Sequence, residues 1–222
     1  MIIAIDGPAG AGKSTTARAL AKALGWSYID TGAMYRAVAL TARENGVIAD
    51  DGGAIASLAE SLPLHFSDKG ERIWVGDRDV SGEIRTPEIG DMTSQISAHA
   101  GLREIIVALQ RRLAREDEDL CGGAVLEGRD IQTVVFPDAP IKIFLSADAR
   151  TRATRRGAEW NDDVEAAVRD IEARDQRDSS RANSPLCAAP DAVHLSTDGL
   201  STEEIVEQIV ALVRSKTSAT SL

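Results

Sequence analysis

Only two cysteines, Cys121 and Cys187, occur in the 222 residues, and neither has partners at metal-ligand spacing. Two thiols cannot make a four-cysteine zinc site; they read as reduced, small, buried or half-buried residues of a cytoplasmic protein. No apolar run approaches the ~18 residues that a membrane span needs. The first residues go straight into a strand pattern, so neither a signal peptide nor a membrane partner is expected. Lysine is scarce, 5 residues against 20 arginines, and the formal charge is −10. That balance argues against a long polyanion such as DNA or RNA, but leaves a small phosphorylated ligand open, because local clusters decide it. The tetrapeptide N-K-x-D, with which GTP-binding switches read guanine, does not occur.

What is there starts at the N-terminus. An apolar run, Ile2, Ile3, Ala4 and Ile5, leads into Gly7-Pro8-Ala9-Gly10-Ala11-Gly12-Lys13-Ser14, a full match to G-x-x-x-x-G-K-S/T. Small residues let backbone amides curl around a phosphate, and a helix starting at Lys13 aims its positive end at the same anion. Lys13 supplies a mobile charge for the β- and γ-phosphates, and Ser14 a hydroxyl for Mg²⁺. Ala17, Leu20, Ala21 and Leu24 follow at helical spacing, which supplies the helix the motif needs.

Further along, residues 27–30 read as a short strand and residues 31–36 open a helix that Asp30 or Thr31 can cap. Arg36 sits on its first turns near a strand's carboxyl end, where open α/β sheets bind ligands, though a solvated helix arginine looks the same in sequence. Residues 50–62 suggest a small helix. Short alternating runs at 64–66, 72–75 and 79–80, broken by Asp68-Lys69-Gly70 and Gly76-Asp77, predict a small antiparallel sheet inserted into a βα pattern. His65, between apolar neighbours, reads as structural. Helices are expected over 87–98 and 102–115, with Arg111, Arg112 and Arg115 solvated. A buried strand at 123–126 runs into Glu127-Gly128-Arg129-Asp130, where the adjacent arginine and aspartate could pair with each other or read a phosphate and a hydrogen-bond donor. Another strand covers 141–145. Between Arg150 and Arg181 lie eight arginines and as many acidic residues with few large apolar ones. Such a stretch cannot bury itself well and suits a mobile lid, with Asn161-Asp162-Asp163 as a helix start. A last strand at 192–195 and a helix with a Ser201–Glu204 capping box end the pattern.

Several motifs together resemble bacterial cytidylate kinases: IDGPAGAGKST, DTGAMYR at 30–36, VSGEIRTPEI at 80–89, EGRD at 127–130, VVFPDAPIKIFL at 134–145 and ARDQRDSSR at 173–181. The likeness covers nearly the whole chain. It implies an α/β P-loop kinase with a five-stranded parallel core sheet flanked by helices, a monophosphate-binding β insert at about 60–90 and a helical lid at about 152–178. It implies transfer from ATP, with Mg²⁺, to CMP or dCMP by a cytoplasmic monomer. By resemblance, the ATP side comprises the loop from Gly7 to Ser14, Thr15, and Arg152 and Arg156 of the lid. The acceptor side comprises Thr31, Arg36, Arg129 and Arg181 around the monophosphate, Ser94, Arg103 and Asp130 around cytosine, and Arg174 and Asp178 at the sugar. Lys13, Arg36 and Arg129 are the expected catalytic set. Gln132 stands where the family usually has glycine, which puts the backbone of that turn in question.

The chemistry is consistent with that site. An ionised aspartate can accept from the N4 amino group of cytosine, while serine and arginine donate to N3 and O2; uracil reverses the pattern at positions 3 and 4. A site built on such bonds rejects the analogue that leaves them unpaired. The rival within the class is another small-molecule P-loop kinase, for UMP, AMP or shikimate; a GTP-binding switch or an ATP-driven assembly module has little support.

Overall fold

A computed structural model describes residues 1–160, 164–181 and 183–220, leaving out the side chains of 68, 156–160, 164 and 218–220. The chain runs β1 (Ile2–Asp6), α1 (Lys13–Leu24), β2 (Ser27–Asp30), α2 (Thr31–Glu44) and α3 (Gly52–Ser61). Then come β3 (Leu64–Ser67), β4 (Arg72–Val75), β5 (Arg78–Asp79), α4 (Pro87–Ile96) and α5 (Ala100–Cys121). The remainder is β6 (Ala124–Gly128), a π-type turn (Ile131–Val135), β7 (Ile141–Ser146), α6 (Ala149–Trp160), α7 (Val164–Ser179), β8 (Val193–Ser196) and α8 (Thr202–Thr220).

Five strands form one parallel sheet in the order β2-β6-β1-β7-β8. The central strand β1 is apolar at every position before Asp6 because both of its faces are covered. Successive side chains point to opposite faces. Ile3 and Ile5 therefore pack with Leu20, Ile143, Ile205 and Ile209, under α1 and α8. Ile2 and Ala4 pack with Leu126, Val107 and Ala114, under α5. A third cluster joins α2, α3, α4 and α5 to the small antiparallel sheet β3-β4-β5, with Met34, Val38, Ile55, Ile73, Ile84 and Ile106 fully or nearly buried.

The expected strands are all present, and several finer expectations change. Helix α5 continues six residues past Arg115, through an acidic run, until Gly122 closes it in a left-handed conformation with its amide on the Glu118 carbonyl. Arg111 is exposed but not merely solvated: its Nε and Nη2 donate to the Val135 and Val134 carbonyls at 2.8 Å each, tying α5 to the π-type turn. Cys121 is half-buried, whereas Cys187 is exposed, against the expectation of burial. His65 is exposed and stacks on Trp74 across the strand pair. The expected helix start at 161–163 lies outside the described residues. Among the described residues no helix is long and apolar enough to cross a membrane.

Candidate active site

The carboxyl ends of β1, β2 and β6 meet at one edge, and the glycine-rich loop leaves β1 there. Gly7 must be glycine, because a Cβ at its φ of +154° would lie 2.1 Å from the Leu145 carbonyl oxygen on β7. The loop then passes Pro8, Ala9, Gly10, Ala11 and Gly12 into α1, whose first residue, Lys13, is buried and donates from Nζ to the Pro8 carbonyl at 2.8 Å. Burial and the neighbouring Arg129 push the Lys13 ammonium down to about 7. Thr15 is exposed on the first turn.

Glu127, at the end of β6, is the hub beside the loop. Its Oε1 accepts from Ser14 Oγ at 2.5 Å and Tyr28 Oη at 3.0 Å, and its carbonyl accepts from Thr31 Oγ1 at 2.6 Å. No group of three or more His, Cys, Asp or Glu side chains among the described residues is arranged to hold a metal ion. The Ser14 hydroxyl and the Glu127 carboxylate nonetheless fit a hard cation that takes its remaining ligands from phosphate and water, the usual way Mg²⁺ is held.

Cationic side chains converge on the same edge. Asp30 caps α2 through its Oδ1 on the Ala33 amide at 2.9 Å, while its Oδ2 accepts from Arg85 at 2.7 Å and lies 3.9 Å from Arg36. Burial alone would raise Asp30, but Arg36 and Arg85 hold its carboxyl below the ordinary value. Arg36 in turn is lowered, by burial and by the proximity of Arg85 and Arg129. Just past β6, Arg129 donates from Nε to Asp178 Oδ2 at 2.8 Å, and Arg181 donates to Asp178 Oδ1 at 2.5 Å. Asp178 is held below its ordinary value because Arg129 and Arg181 outweigh its burial, with Arg174 also in range. Arg174 is close enough to depress Lys13 as well. Partly buried positive charges gathered in this way have the chemistry to take a small anion.

Arg129 and Asp130, adjacent in sequence, do not pair with each other. Asp130 forms a buried ion pair with Arg103 of α5, whose Nε also donates to Ser184 Oγ at 3.1 Å and whose guanidinium lies 5.6 Å from the Tyr35 ring centre. Burial, opposed by Arg103, pushes the Tyr35 phenol up to about 12. The buried hydroxyls of Tyr35 and Ser94 have no hydrogen-bond partner. A pair of orphaned donors of this kind is uncommon in a folded interior and accords with a polar ligand edge nearby.

Asp6, wholly buried at the end of β1, accepts from the Ile131 and Gln132 amides at 3.0 and 2.8 Å and so fixes the turn that follows Asp130. Gln132 has no positive φ, so the turn does not demand glycine. Its side chain is used: Oε1 accepts from the Ala189 amide at 3.0 Å, and Nε2 donates to the Ile143 carbonyl at 3.4 Å.

Helices α6 and α7 pack through Ala153, Ala167 and Ile171. Arg152 donates from Nη1 to the Ala9 carbonyl at 3.0 Å and pairs with Asp175 at 2.5 Å, while Arg155 donates to Thr197 Oγ1 at 2.8 Å. The side chain of Arg156 lies outside the described residues. Glu127, Asp6, Arg85, Tyr35 and Asp175 are the site residues that sequence reasoning did not single out. All five stand inside quoted motifs; only their partners across the fold reveal what they do.

A parallel sheet that feeds a glycine loop and a buried lysine into an edge crowded with arginines is the architecture of a P-loop phosphotransferase. A solved structure of an uncharacterized protein from Eubacterium ventriosum has the same fold (TM-score 0.55, 13% identity, 97% of this chain and 99% of that one), a likeness of fold alone. The chain belongs to the cytidylate kinase family, which it matches over residues 3–215. It is 43% identical to the cytidylate kinase of Geobacter sulfurreducens over 227 residues, covering 99% of this chain and 95% of that protein. To the cytidylate kinase of Methylococcus capsulatus it is 44% identical over 220 residues (96% and 97% covered). It is also 46% identical to the bifunctional pantoate ligase/cytidylate kinase of Trichormus variabilis over 220 residues, 94% of this chain but only 40% of that longer protein.

Proposed function

We propose that this chain transfers the γ-phosphoryl group of ATP to CMP and dCMP, giving CDP and dCDP. The observation that carries the reading is the arginine cluster of Arg36, Arg129 and Arg181 at the sheet edge that also holds the glycine loop and Lys13. Family membership supports cytidylate as the acceptor. The loop amides from Gly10 to Ser14 and Lys13 hold the donor phosphates, and the acceptor phosphate takes Arg36, Arg129 and Arg181 as planar forks. Its arrival competes with Asp178 for Arg129 and Arg181, which leaves Asp178 and Arg174 to meet the sugar. Ser94, Arg103 and Asp130 face the base. Ser14 and Glu127 would hold a Mg²⁺ that enters with ATP, which would supply neutralisation of phosphate charge. The attacking oxygen is already anionic, so positioning and charge compensation suffice and no strong general base is required.

The insert at about 60–90 serves as the acceptor-side clamp and residues 152–178 as the lid, in a cytoplasmic monomer with ATP and CMP or dCMP as its partners. Initial rates of ADP formation with CMP, dCMP, UMP, AMP and shikimate test the reading. Turnover confined to the cytidylates is expected; preference for any other acceptor overturns it.

A further inference from the structure

Helix α7 carries two inward carboxylates one turn apart, Asp175 and Asp178. Asp178 holds Arg129 and Arg181. Asp175 holds the glycine loop: its Oδ1 accepts from the Ala9 amide at 3.3 Å, and its Oδ2 pairs with Arg152, which returns to the Ala9 carbonyl at 3.0 Å. One ion pair thus takes both polar backbone groups of Ala9, and Arg152 is only 8% exposed. Gly10 permits the approach, since a Cβ there, at φ +76°, would lie 2.9 Å from both the Arg152 Cβ and its carbonyl oxygen. The Ala9 amide is therefore engaged by the lid, leaving the phosphate cradle to the amides that follow. Asp175 is also among the charges that act on Arg129, keeping that guanidinium above its ordinary value against burial.

We propose that Asp175 is a positioning residue that couples the donor and acceptor sites. A helix is stiff over a single turn, with a rise of about 1.5 Å per residue, so α7 cannot shift at Asp178 and stay fixed at Asp175. A ligand that draws Arg129 and Arg181 off Asp178 then changes the grip of Asp175 and Arg152 on Ala9, and through it the set of the loop that receives the donor phosphates. The inference rests on the kinase reading above, with the donor on the loop and the acceptor on the arginines.

The test is the affinity of a non-hydrolysable ATP analogue measured by calorimetry with and without CMP, together with that of CMP alone, for the full chain and for Asp175→Ala and Asp175→Asn. In the unaltered chain CMP tightens the analogue by about fivefold or more, within the usual range of site coupling. In Asp175→Ala the factor falls to within about twofold of unity while CMP alone binds within about twofold of normal. Asp175→Asn, which keeps an acceptor for the Ala9 amide but not the charge that holds Arg152, shows an intermediate factor and decides the matter if the alanine variant does not fold. Undiminished coupling in the variants, or loss of CMP affinity by itself to the same extent, overturns the proposal. An unaltered chain that binds both nucleotides without coupling overturns this proposal alone; one that binds neither overturns the kinase reading with it.

Discussion

Asp130→Asn removes one charge from the cluster proposed to face the base while leaving its shape. In the folded chain the Asp130 carboxylate is paired with Arg103, their side chains 10% and 7% exposed. Breaking a buried pair costs about 3–5 kcal/mol when the surviving charge is left alone. Arg103 is not left alone: the asparagine carbonyl can still accept, and Ser184 Oγ and the Ser97 carbonyl remain its partners. A loss of about 2–3 kcal/mol is therefore expected. For a chain of this size that lowers Tm by about 4–12 °C. The second effect is on the base. Asparagine can rotate its amide to donate to O4 of uracil, where the carboxylate is repelled. Loss of one charged hydrogen bond to cytosine is worth about 1.5–3 kcal/mol, so the CMP-over-UMP ratio of kcat/KM should fall at least about tenfold. Steady-state rates with both nucleotides, measured well below the variant's Tm, give the ratio directly. An unchanged ratio alongside the lowered Tm would mean that Asp130 only supports Arg103 and that cytosine is read elsewhere.

Three further outcomes follow from buried groups. Lys13, depressed to about 7 by burial and Arg129, regains its proton beside phosphate; ATP binding at pH 8 should take up about 0.9 proton, seen as a buffer-dependent binding enthalpy, and equal uptake in Lys13→Ala would refute it. Burial raises Asp6 from 3.8 to about 6 despite the Gln132 and Ile131 amides. Between those values the native state binds more protons than the unfolded one, so this group makes stability fall as pH rises, by about 3 kcal/mol in all. Denaturant melts of the native chain and Asp6→Asn from pH 4 to 6.5 should therefore shift in favour of the variant, and parallel curves would contradict this. Gln132→Gly strands the Ala189 amide and should cost about 2–3 kcal/mol in urea melts; unchanged stability would show that the side chain's bonds carry no weight.

Much of the frame was legible in the order of residues because its causes are local. The three inner strands β1, β6 and β7 announce themselves as short, largely apolar runs, since strands covered on both faces must be mostly apolar, whereas the edge strands β2 and β8 alternate with polar residues. The loop is legible because close approach of backbone to phosphate excludes side chains. The small sheet shows in the alternation of residues 64–80, where one face is wet. Helix ends were read less well: the acidic run 116–119 of α5 has no apolar period, yet the helix persists until a glycine stops it.

The site was legible as an inventory of residue types and not as a set of pairings. Arg36, Arg129, Asp130 and Arg181 stand in motifs, and the chain by itself determined that arginines would crowd a strand edge beside a phosphate loop. Only the tertiary structure decided that Arg129 turns to Asp178 and Asp130 to Arg103, 49 and 27 residues away. It also decided that Arg85 joins Arg36 on Asp30, that Asp6 holds the turn after Asp130, and that Asp175 grips Ala9. The reason is physical. Helix and strand patterns follow from the spacing of neighbouring residues, whereas the partner of a long charged side chain is set by which strand ends and helix turns the packed core brings within about 3 Å of it.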